Sequence, residues 1–337
     1  MRYLFTLLVL SLFTTLFGQS EPNQKRAGFM FYNVENLFDT YKDSINLDEE
    51  FTPDGARRWT YSRMKKKWVS IARVITNAGG WNLPVLVGLC EVENRWVLTS
   101  LLYETGLKNL SYDVVHYDSP DMRGIDVAFF YKKDRITILE SKPIPVTFGE
   151  GSRPTRDILY AKVLLDDLDT LFVMVNHWPS RWGGAAVTHP KRQRAARIVK
   201  QVCDSLRAEN PARKVLIMGD YNEPAKSDIF LKDMGVGTPN DSNWLVSPAL
   251  DLPPGVGTLK FRHAWDLFDQ IIVSRPLLTD TTGYRMIEPH MKIIRLPFLL
   301  QQDEVFGGEK LFRTYEGFKY SGGYSDHLPV WIDLDLP

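Results

Sequence analysis

Short apolar runs recur along the chain, and six of them are bounded by polar side chains that can carry chemistry. Four runs lead into such residues, and two runs near the C-terminus follow them. Runs of this length, separated by turn-forming residues, predict buried β-strands. The polar bounds are Asn33 and Glu35, Glu91, Asn176 and His177, Asp220 and Asn222, Asp269, and Asp326 with His327. One such strand end is usually only a turn, but six together indicate a shared functional edge.

The segment from Val215 to Asn222 is the most informative of these strand ends. Side chains two residues apart on an extended segment point to the same side. Asp220 and Asn222 are therefore expected to face one pocket. The first offers a charge, and the second offers an amide that both donates and accepts hydrogen bonds.

Two other stretches have helical periodicity. The apolar positions from Met64 to Ile75 share one face, so the basic residues between Arg63 and Lys67 are expected mostly on the solvent side. A second apolar stripe runs from Ala195 to Leu206, in a helix predicted to begin near Pro190. The proline-rich stretch from Gly235 to Gly257 is predicted to be a long loop.

The motifs around the six strand ends resemble the endonuclease/exonuclease/phosphatase superfamily of metal-dependent phosphoesterases, which includes deoxyribonuclease I, abasic-site endonucleases, sphingomyelinases and inositol-phosphate phosphatases. They are Tyr32–Leu37, Gly88–Val92, Val175–Arg181, Gly219–Asn222, Phe268–Ile271 and Ser325–Pro329. They occur in the family's order and span nearly all of the chain after about residue 27. The run from Asn176 to Ser180 is most similar to exported bacterial members.

The resemblance implies an α/β (α+β) fold, a four-layer α/β/β/α sandwich of two mainly antiparallel sheets flanked by helices. A length of 337 residues would allow two domains. Because the motifs extend from Asn33 to His327, we instead expect one domain over residues 27–337.

The resemblance also implies a divalent metal site. Glu91 would be the principal ligand, with Asn33, Glu35 and Asp326 near it. Carboxylates brought together without a cation repel one another by about 1 kcal/mol per pair at 4 Å in water and by about 4 kcal/mol at an effective dielectric of 20. Hard oxygen ligands favour Mg²⁺ or Mn²⁺ as the cofactor.

Five further residues have catalytic roles in the family. Asp220 and Asn222 would hold or activate the attacking water and contact the phosphate. His327 would be oriented by Asp269, and His177 would contact the phosphate from the other side. His177, His327 and Asp220 could also form a two-histidine, one-carboxylate zinc site, which remains an alternative.

Four residues are candidates for substrate binding. Arg156 resembles the family's phosphate-facing arginine, although a surface charge is the other reading. Arg123 and Asp126 are expected as neighbours of the pocket. Arg181 lies between Trp178 and Trp182, ahead of two glycines, in a segment predicted to be a mobile rim of the site. The alternative is that both tryptophans pack against the following helix.

Composition narrows the function classes. The chain has 41 basic and 41 acidic residues, so its formal net charge is zero, which argues against a broad surface that coats nucleic acid. A local basic patch would remain compatible with this balance. Cys90 and Cys203 are the two cysteines, and both are expected to be small buried hydrophobes rather than a disulfide framework or a nucleophile.

The N-terminus predicts export. Residues 1–20 combine the positive Arg2, an apolar core from Leu4 to Phe13 and a small, polar exit at Gly18 and Gln19. This pattern is typical of a cleaved signal peptide and is too short for a stable membrane anchor. The protein is therefore expected to be secreted or periplasmic.

These observations predict an exported, metal-dependent phosphoesterase that hydrolyses phosphodiester bonds, first of all an extracellular or periplasmic nuclease. Its partner would then be nucleic acid, with a monomer as the default state and endo or exo action left open. The alternatives are a phospholipid, sphingomyelin or small-molecule phosphodiesterase or phosphatase. An alternative of another class is a catalytically silent binding or effector protein on the same fold.

Overall fold

Two β-sheets form the centre of the protein in a computed structural model, which describes residues 25–44, 46–149 and 151–336. The predicted signal peptide, residues 1–20, lies outside the described residues. Within the described ranges, no helix is both long and apolar enough to cross a membrane.

The first sheet has six strands, and all neighbouring pairs are antiparallel except β1 and β2. In spatial order, with strands numbered along the chain, they are Lys292–Ile293 (β14), Val330–Asp335 (β19), Arg26–Leu37 (β1), Pro84–Val92 (β2), Asp126–Lys132 (β4) and Tyr112–His116 (β3).

The second sheet has seven strands, with parallel pairing between β7 and β8 and between β9 and β10. In spatial order they are Ile136–Ile144 (β5), Ile158–Leu165 (β6), Asp169–His177 (β7), Lys214–Asp220 (β8), Asp269–Ser274 (β13), Leu245–Val246 (β10) and Val236–Gly237 (β9). Three small hairpins stand apart: Leu259–Phe261 (β11) with Ala264–Asp266 (β12), Leu300–Gln302 (β15) with Glu309–Leu311 (β16), and Tyr315–Glu316 (β17) with Lys319–Tyr320 (β18).

Helices cover the outer face of each sheet. The α-helices are Tyr61–Asn77 (α1), Arg95–Tyr103 (α2), Ala185–Glu209 (α3) and Pro276–Thr279 (α4), joined by 3₁₀ turns at Glu49–Phe51, Gly106–Asn109, Pro248–Asp251 and Pro297–Leu299 and a π-helical turn at Ile229–Asp233. On β1, Met30 and Tyr32 pack with α1 and α2, while Phe29 and Phe31 pack into the core between the sheets. This alternation produces the predicted four-layer sandwich of mainly antiparallel sheets.

The two sheets pack closely at Gly88. A Cβ atom placed on Gly88 would lie 2.4 Å from Met218 Sδ, so only glycine fits this position without rearrangement. This contact joins β2 of the first sheet to β8 of the second.

Three local predictions are corrected by the structure. Helix α3 begins at Ala185 rather than near Pro190, because its first turns are largely exposed and lack the apolar stripe that marked the rest. The stretch from Gly235 to Gly257 contains β9, β10 and a 3₁₀ turn, and Val246 is fully buried. On α1 the predicted apolar face is buried, but Lys67 is also buried and is not on the solvent side. Its partner is a buried carboxylate of the site described below.

Candidate active site

The polar strand ends predicted from the sequence meet at one edge of the sandwich. Strands β1 and β2 run parallel, as do β7 and β8, so their C-terminal residues lie side by side, and His177 pairs with Asp220 in register. Strand β13 runs the other way, which places its first residue, Asp269, beside Asp220. Antiparallel β19 likewise places Asp326 and His327, which precede it, at this edge.

Asp220 lies at the centre of the cluster and is almost fully buried. Its Oδ2 accepts a hydrogen bond from Asn33 Nδ2 at 3.1 Å and lies 3.8 Å from Nε2 of both His177 and His327. Its Oδ1 accepts the backbone N–H of Asn222 at 3.0 Å. Burial, with Asp269 adding to it and His327 opposing it, raises the pKa of Asp220 to about 7.

His327 is paired with a second buried carboxylate. Its Nδ1 lies 2.6 Å from Asp269 Oδ2, and the other oxygen of Asp269 has no hydrogen-bond partner among the described residues. Burial alone would lower the pKa of His327, but the carboxylates of Asp269 and Asp220 outweigh it and hold the pKa well above its ordinary value. The pair therefore keeps His327 charged and a donor at both ring nitrogens.

His177 has the opposite character. Burial, together with the positive charges of Arg156, Arg123 and His327, lowers its pKa well below the ordinary value. Its Nδ1 is buried and has no hydrogen-bond partner among the residues that the structure describes, and its Nε2 faces Asp220. The site thus pairs one neutral and one charged imidazole across a single carboxylate.

Glu91 lies beside this centre and lacks a cationic partner within the described part of the chain. Its oxygens accept hydrogen bonds from Asn33 Nδ2 at 3.4 Å and from the backbone N–H of Asn36 at 3.0 Å. The backbone is left-handed at Glu35, Asn36 and Glu91, with φ of 53°, 55° and 61°, where the register of β1 and of β2 shifts. Non-glycine residues held in this region are strained, and such positions concentrate at functional sites.

Glu35 and Asp326 form the outer part of the cluster and are bridged by Arg313. Its Nε lies 3.0 Å from Glu35 Oε1 and one terminal nitrogen lies 2.8 Å from Asp326 Oδ2. The second oxygen of Glu35 accepts the backbone N–H of Thr314 and lies 4.0 Å from Lys67 Nζ. This negative surrounding explains the buried Lys67, whose pKa burial nevertheless lowers to about 8.

Charge balance separates the two parts of the cluster. Lys67 and Arg313 offset the charges of Glu35 and Asp326, and the charged His327 lies beside Asp220, whereas Glu91 has no cationic partner in the described part of the chain. Hard oxygen atoms with unbalanced negative charge are the donor set that a divalent cation prefers. Glu91 therefore fits a divalent cation best, with Asn33 bonded to it and Asp220 nearby.

Asn222 and Arg181 form the rim beside Asp220. Asn222 adopts a left-handed φ of 51°, and its amide donates to Trp178 O at 3.1 Å, so it orients Asp220 through its backbone N–H. Arg181 donates to Asn222 O and to Glu223 rather than pointing into open solvent. Trp178 is buried and stacks on Phe230 of the π-helical turn, while Trp182 is exposed, so the two tryptophans do not pack together as one unit.

The remaining predicted substrate residues lie at the periphery. Arg156 is buried, donates to Asp121 Oδ2 and Trp178 O, and leaves its Nε without a partner, so it is not the surface charge of the alternative reading. Arg123 donates to Asn36 Oδ1 at the edge of the site. Asp126 gives both oxygens to His116 and Ser119, which directs its carboxylate away from the cluster.

Sequence reasoning missed Lys67 and Arg313. Lys67 belongs to a basic run with the spacing of a solvated helix face. Arg313 is 278 residues from Glu35, in a segment without a motif or a hydrophobic period. The two cysteines are buried as expected, and burial raises the pKa of both thiols.

A model of the endonuclease/exonuclease/phosphatase family matches residues 28–336. No curated protein sequence matches the chain.

Solved structures with the same fold share little sequence with the chain. An endonuclease/exonuclease/phosphatase family protein from Bacteroides thetaiotaomicron is 13% identical, with 93% of this chain and 99% of that chain covered and a TM-score of 0.58. A mannosyl-6-phosphatase from Bacteroides thetaiotaomicron is also 13% identical, with coverages of 91% and 99% and a TM-score of 0.57. TDP2 from D. rerio, complexed with a single-strand DNA product, is 16% identical, with coverages of 92% and 98% and a TM-score of 0.55. At these identities the likeness shows the fold.

Proposed function

The chain belongs to the endonuclease/exonuclease/phosphatase family, and from that premise we propose that it hydrolyses phosphoester bonds with the help of a divalent cation. The observation that carries the proposal is the setting of Asp220. A buried carboxylate with a pKa of about 7 lies between a neutral and a charged imidazole and beside Glu91.

The cation would be held by Glu91, with Asp220, Asn33 and Asp326 near it. When bound, Mg²⁺ or Mn²⁺ would neutralise charge on the non-bridging phosphate oxygens. Zinc fits less well. A zinc ligand histidine must be neutral, and its other ring nitrogen usually donates to a carboxylate or carbonyl. Nδ1 of His177 lacks such a partner within the described residues, so His177 does not have the setting of a zinc ligand, whereas the Asp269–His327 pair does.

The protein's own groups supply proton transfer and charge stabilisation. Asp220, with a pKa near neutrality, is suited to accept a proton from the attacking water. The charged His327, oriented by Asp269, is suited to donate hydrogen bonds to the phosphate or a proton to the leaving oxygen. His177 faces the same carboxylate and would contact the phosphate through Nε2, while Asn222 fixes the orientation of Asp220.

Nucleic acid is the first substrate that we propose, as a phosphodiester available to an extracellular or periplasmic enzyme. The neighbouring TDP2 structure with a DNA product supports this substrate class. A small phosphoester is the second candidate. It is favoured by a cavity of about 370 Å³ lined in part by Asp326, and the mannosyl-6-phosphatase neighbour supports it.

A substrate panel tests the proposal. The purified protein with Mg²⁺ would be offered plasmid DNA, RNA, a bis-aryl phosphodiester, a sugar phosphate, sphingomyelin and phosphoinositides. We expect hydrolysis of at least one phosphoester, lost on chelation and restored by Mg²⁺ or Mn²⁺. Restoration by Zn²⁺ alone would favour the two-histidine site. No hydrolysis of any substrate would favour a binding or effector protein.

We also propose export of a domain spanning residues 27–337, based on the apolar segment from Leu4 to Phe13. N-terminal sequencing of the protein from its native host should begin near residues 19–21. An intact Met1 on the mature protein would contradict export.

A further inference from the structure

A cavity of about 370 Å³ opens beside the candidate active site. Its walls come from the β11–β12 hairpin, the β15–β16 hairpin and the start of the β17–β18 hairpin. Asp326 and Arg313 line the cavity and also belong to the carboxylate cluster. A substrate whose phosphate reached the cluster would therefore have the cavity next to it.

The cavity wall is held in place by a buried ion pair. Lys260 Nζ lies 2.7 Å from Asp303 Oδ2, with both side chains at most 5% exposed. Lys260 also donates to Gly307 O, and Asp303 accepts the backbone N–H groups of Val305 and Phe306. These bonds join the turn after β15 to the β11–β12 hairpin and hold this wall of the cavity together.

Four basic and three acidic side chains line the cavity, so positive charge is in slight excess. Among the described residues Lys310 is paired only with the exposed Glu316, a contact of the kind that contributes little in water. Arg313 is bonded to Glu35 and Asp326 but keeps 41% of its side chain exposed. Arg262 has no carboxylate partner in the described part of the chain, and its guanidinium carbon lies 5.3 Å from the centroid of the Phe261 ring.

Apolar surface accompanies these cations. Phe306 lines the cavity and is fixed edge-to-face against His263, with ring centroids 5.0 Å apart. Val305 beside it is 77% exposed. Exposed apolar side chains next to convergent polar groups are typical of a small-molecule site.

We propose that this cavity is a subsite for the part of the substrate beyond the scissile phosphate, and that the part it selects is a ring bearing a second phosphate. Arg262 is the anchor for that second phosphate, Lys310 and Arg313 add positive charge, and Phe306 contacts the ring. The second phosphate could come from a small bisphosphorylated molecule or from the next phosphate of a nucleic-acid strand. The inference rests on the proposed phosphoester hydrolysis.

The test compares a nucleoside 3′,5′-bisphosphate, the matching 5′-monophosphate and a short single-stranded oligonucleotide. Calorimetric binding and hydrolysis would be measured with Mg²⁺ for the wild type, for Arg262→Gln and for the control Arg197→Gln. Arg197 is a matched control because it is an exposed arginine of α3, on the outer face of the other sheet. We expect Arg262→Gln to weaken bisphosphate binding about tenfold or more and to leave monophosphate binding unchanged.

The possible results distinguish a failure of the proposed subsite from a failure of the proposed hydrolysis. An Arg262-dependent preference for the bisphosphate supports a small substrate, and the same dependence for the oligonucleotide alone supports a strand. Equal losses for bisphosphate and monophosphate, or a loss of the same size in Arg197→Gln, would overturn the subsite. Arg262-dependent binding without any hydrolysis would uphold the subsite and contradict the proposed reaction.

Discussion

Replacing Asp269 by asparagine removes one charge from the most closely paired imidazole of the site. The carboxylate lies 2.6 Å from His327 Nδ1, and neither side chain is more than 8% exposed. Asparagine keeps the size of the side chain, so the packing of β13 should survive. What changes is the charge that holds His327 protonated.

The size of the effect follows from this contact. An opposite charge in direct contact with a titrating group typically shifts its pKa by about 1–3 units, which corresponds to about 1.4–4 kcal/mol. Removing Asp269 should lower the pKa of His327 by a shift in that range, although Asp220 at 3.8 Å still supports the charged form. The limb of the pH–rate profile that depends on His327 should therefore move toward acid by 1 unit or more, and activity at neutral pH should fall.

The assay is the pH dependence of kcat/KM at saturating Mg²⁺, together with an NMR titration of the His327 ring. Asp169→Asn is a matched control. Asp169 and Lys214 are the first residues of β7 and β8, at the ends of these strands that lie away from the site, and their charged groups are 2.7 Å apart. The same substitution there disrupts an ion pair far from the reaction. An unchanged histidine titration in Asp269→Asn, with folding confirmed, would refute the reasoning. So would an equal shift in Asp169→Asn.

Three further outcomes are expected. Glu91→Gln should weaken Mg²⁺ binding in a calorimetric titration without moving the His327 limb; unchanged affinity would remove Glu91 from the metal site. His327→Ala and His177→Ala should each lower kcat by about 10²–10⁴, and wild-type turnover in either would exclude that imidazole from the reaction. Burial raises the pKa of Glu93 to about 8, so the folded protein keeps this side chain protonated and its stability falls as pH rises from about 4.5 to about 8. Glu93→Gln should therefore have a higher Tm than the wild type at pH 8.5 and nearly the same Tm at pH 4. A Tm equal to that of the wild type at both pH values would contradict the raised pKa of Glu93.

Apolar runs are local signals, so the sequence predicted the individual buried strands, whereas the four-layer arrangement was predicted from the resemblance to the family. Phe29 and Met30 point to opposite faces of β1, and both are buried, as a continuous apolar run predicts. Asp220, Asp269 and His327 could be placed together because each bounds such a run. Their meeting at one edge depends on the parallel pairing of β7 with β8 and the reversed direction of β13.

What the sequence could not predict depends on contacts between distant segments. Arg313 reaches Glu35 from a stretch without periodicity, and Lys67 is buried because it faces that same carboxylate. The start of α3 was misplaced because its first turns are exposed and carry no apolar stripe. The cavity beside Asp326 is built from short hairpins of two or three residues per strand, which are too brief to leave a pattern.

The central claim is metal-dependent hydrolysis, and removal of the metal by a chelator followed by addition of Mg²⁺ tests it most directly. The measurement is the rate of phosphodiester hydrolysis by chelated protein during titration with Mg²⁺, for the wild type, Asp220→Asn and the control Asp169→Asn. We expect no hydrolysis in chelator and saturable recovery in the wild type and control. We expect a loss of at least about a hundredfold in Asp220→Asn at every Mg²⁺ concentration. Full activity in chelator, or full recovery of Asp220→Asn, would contradict metal-dependent hydrolysis by this site.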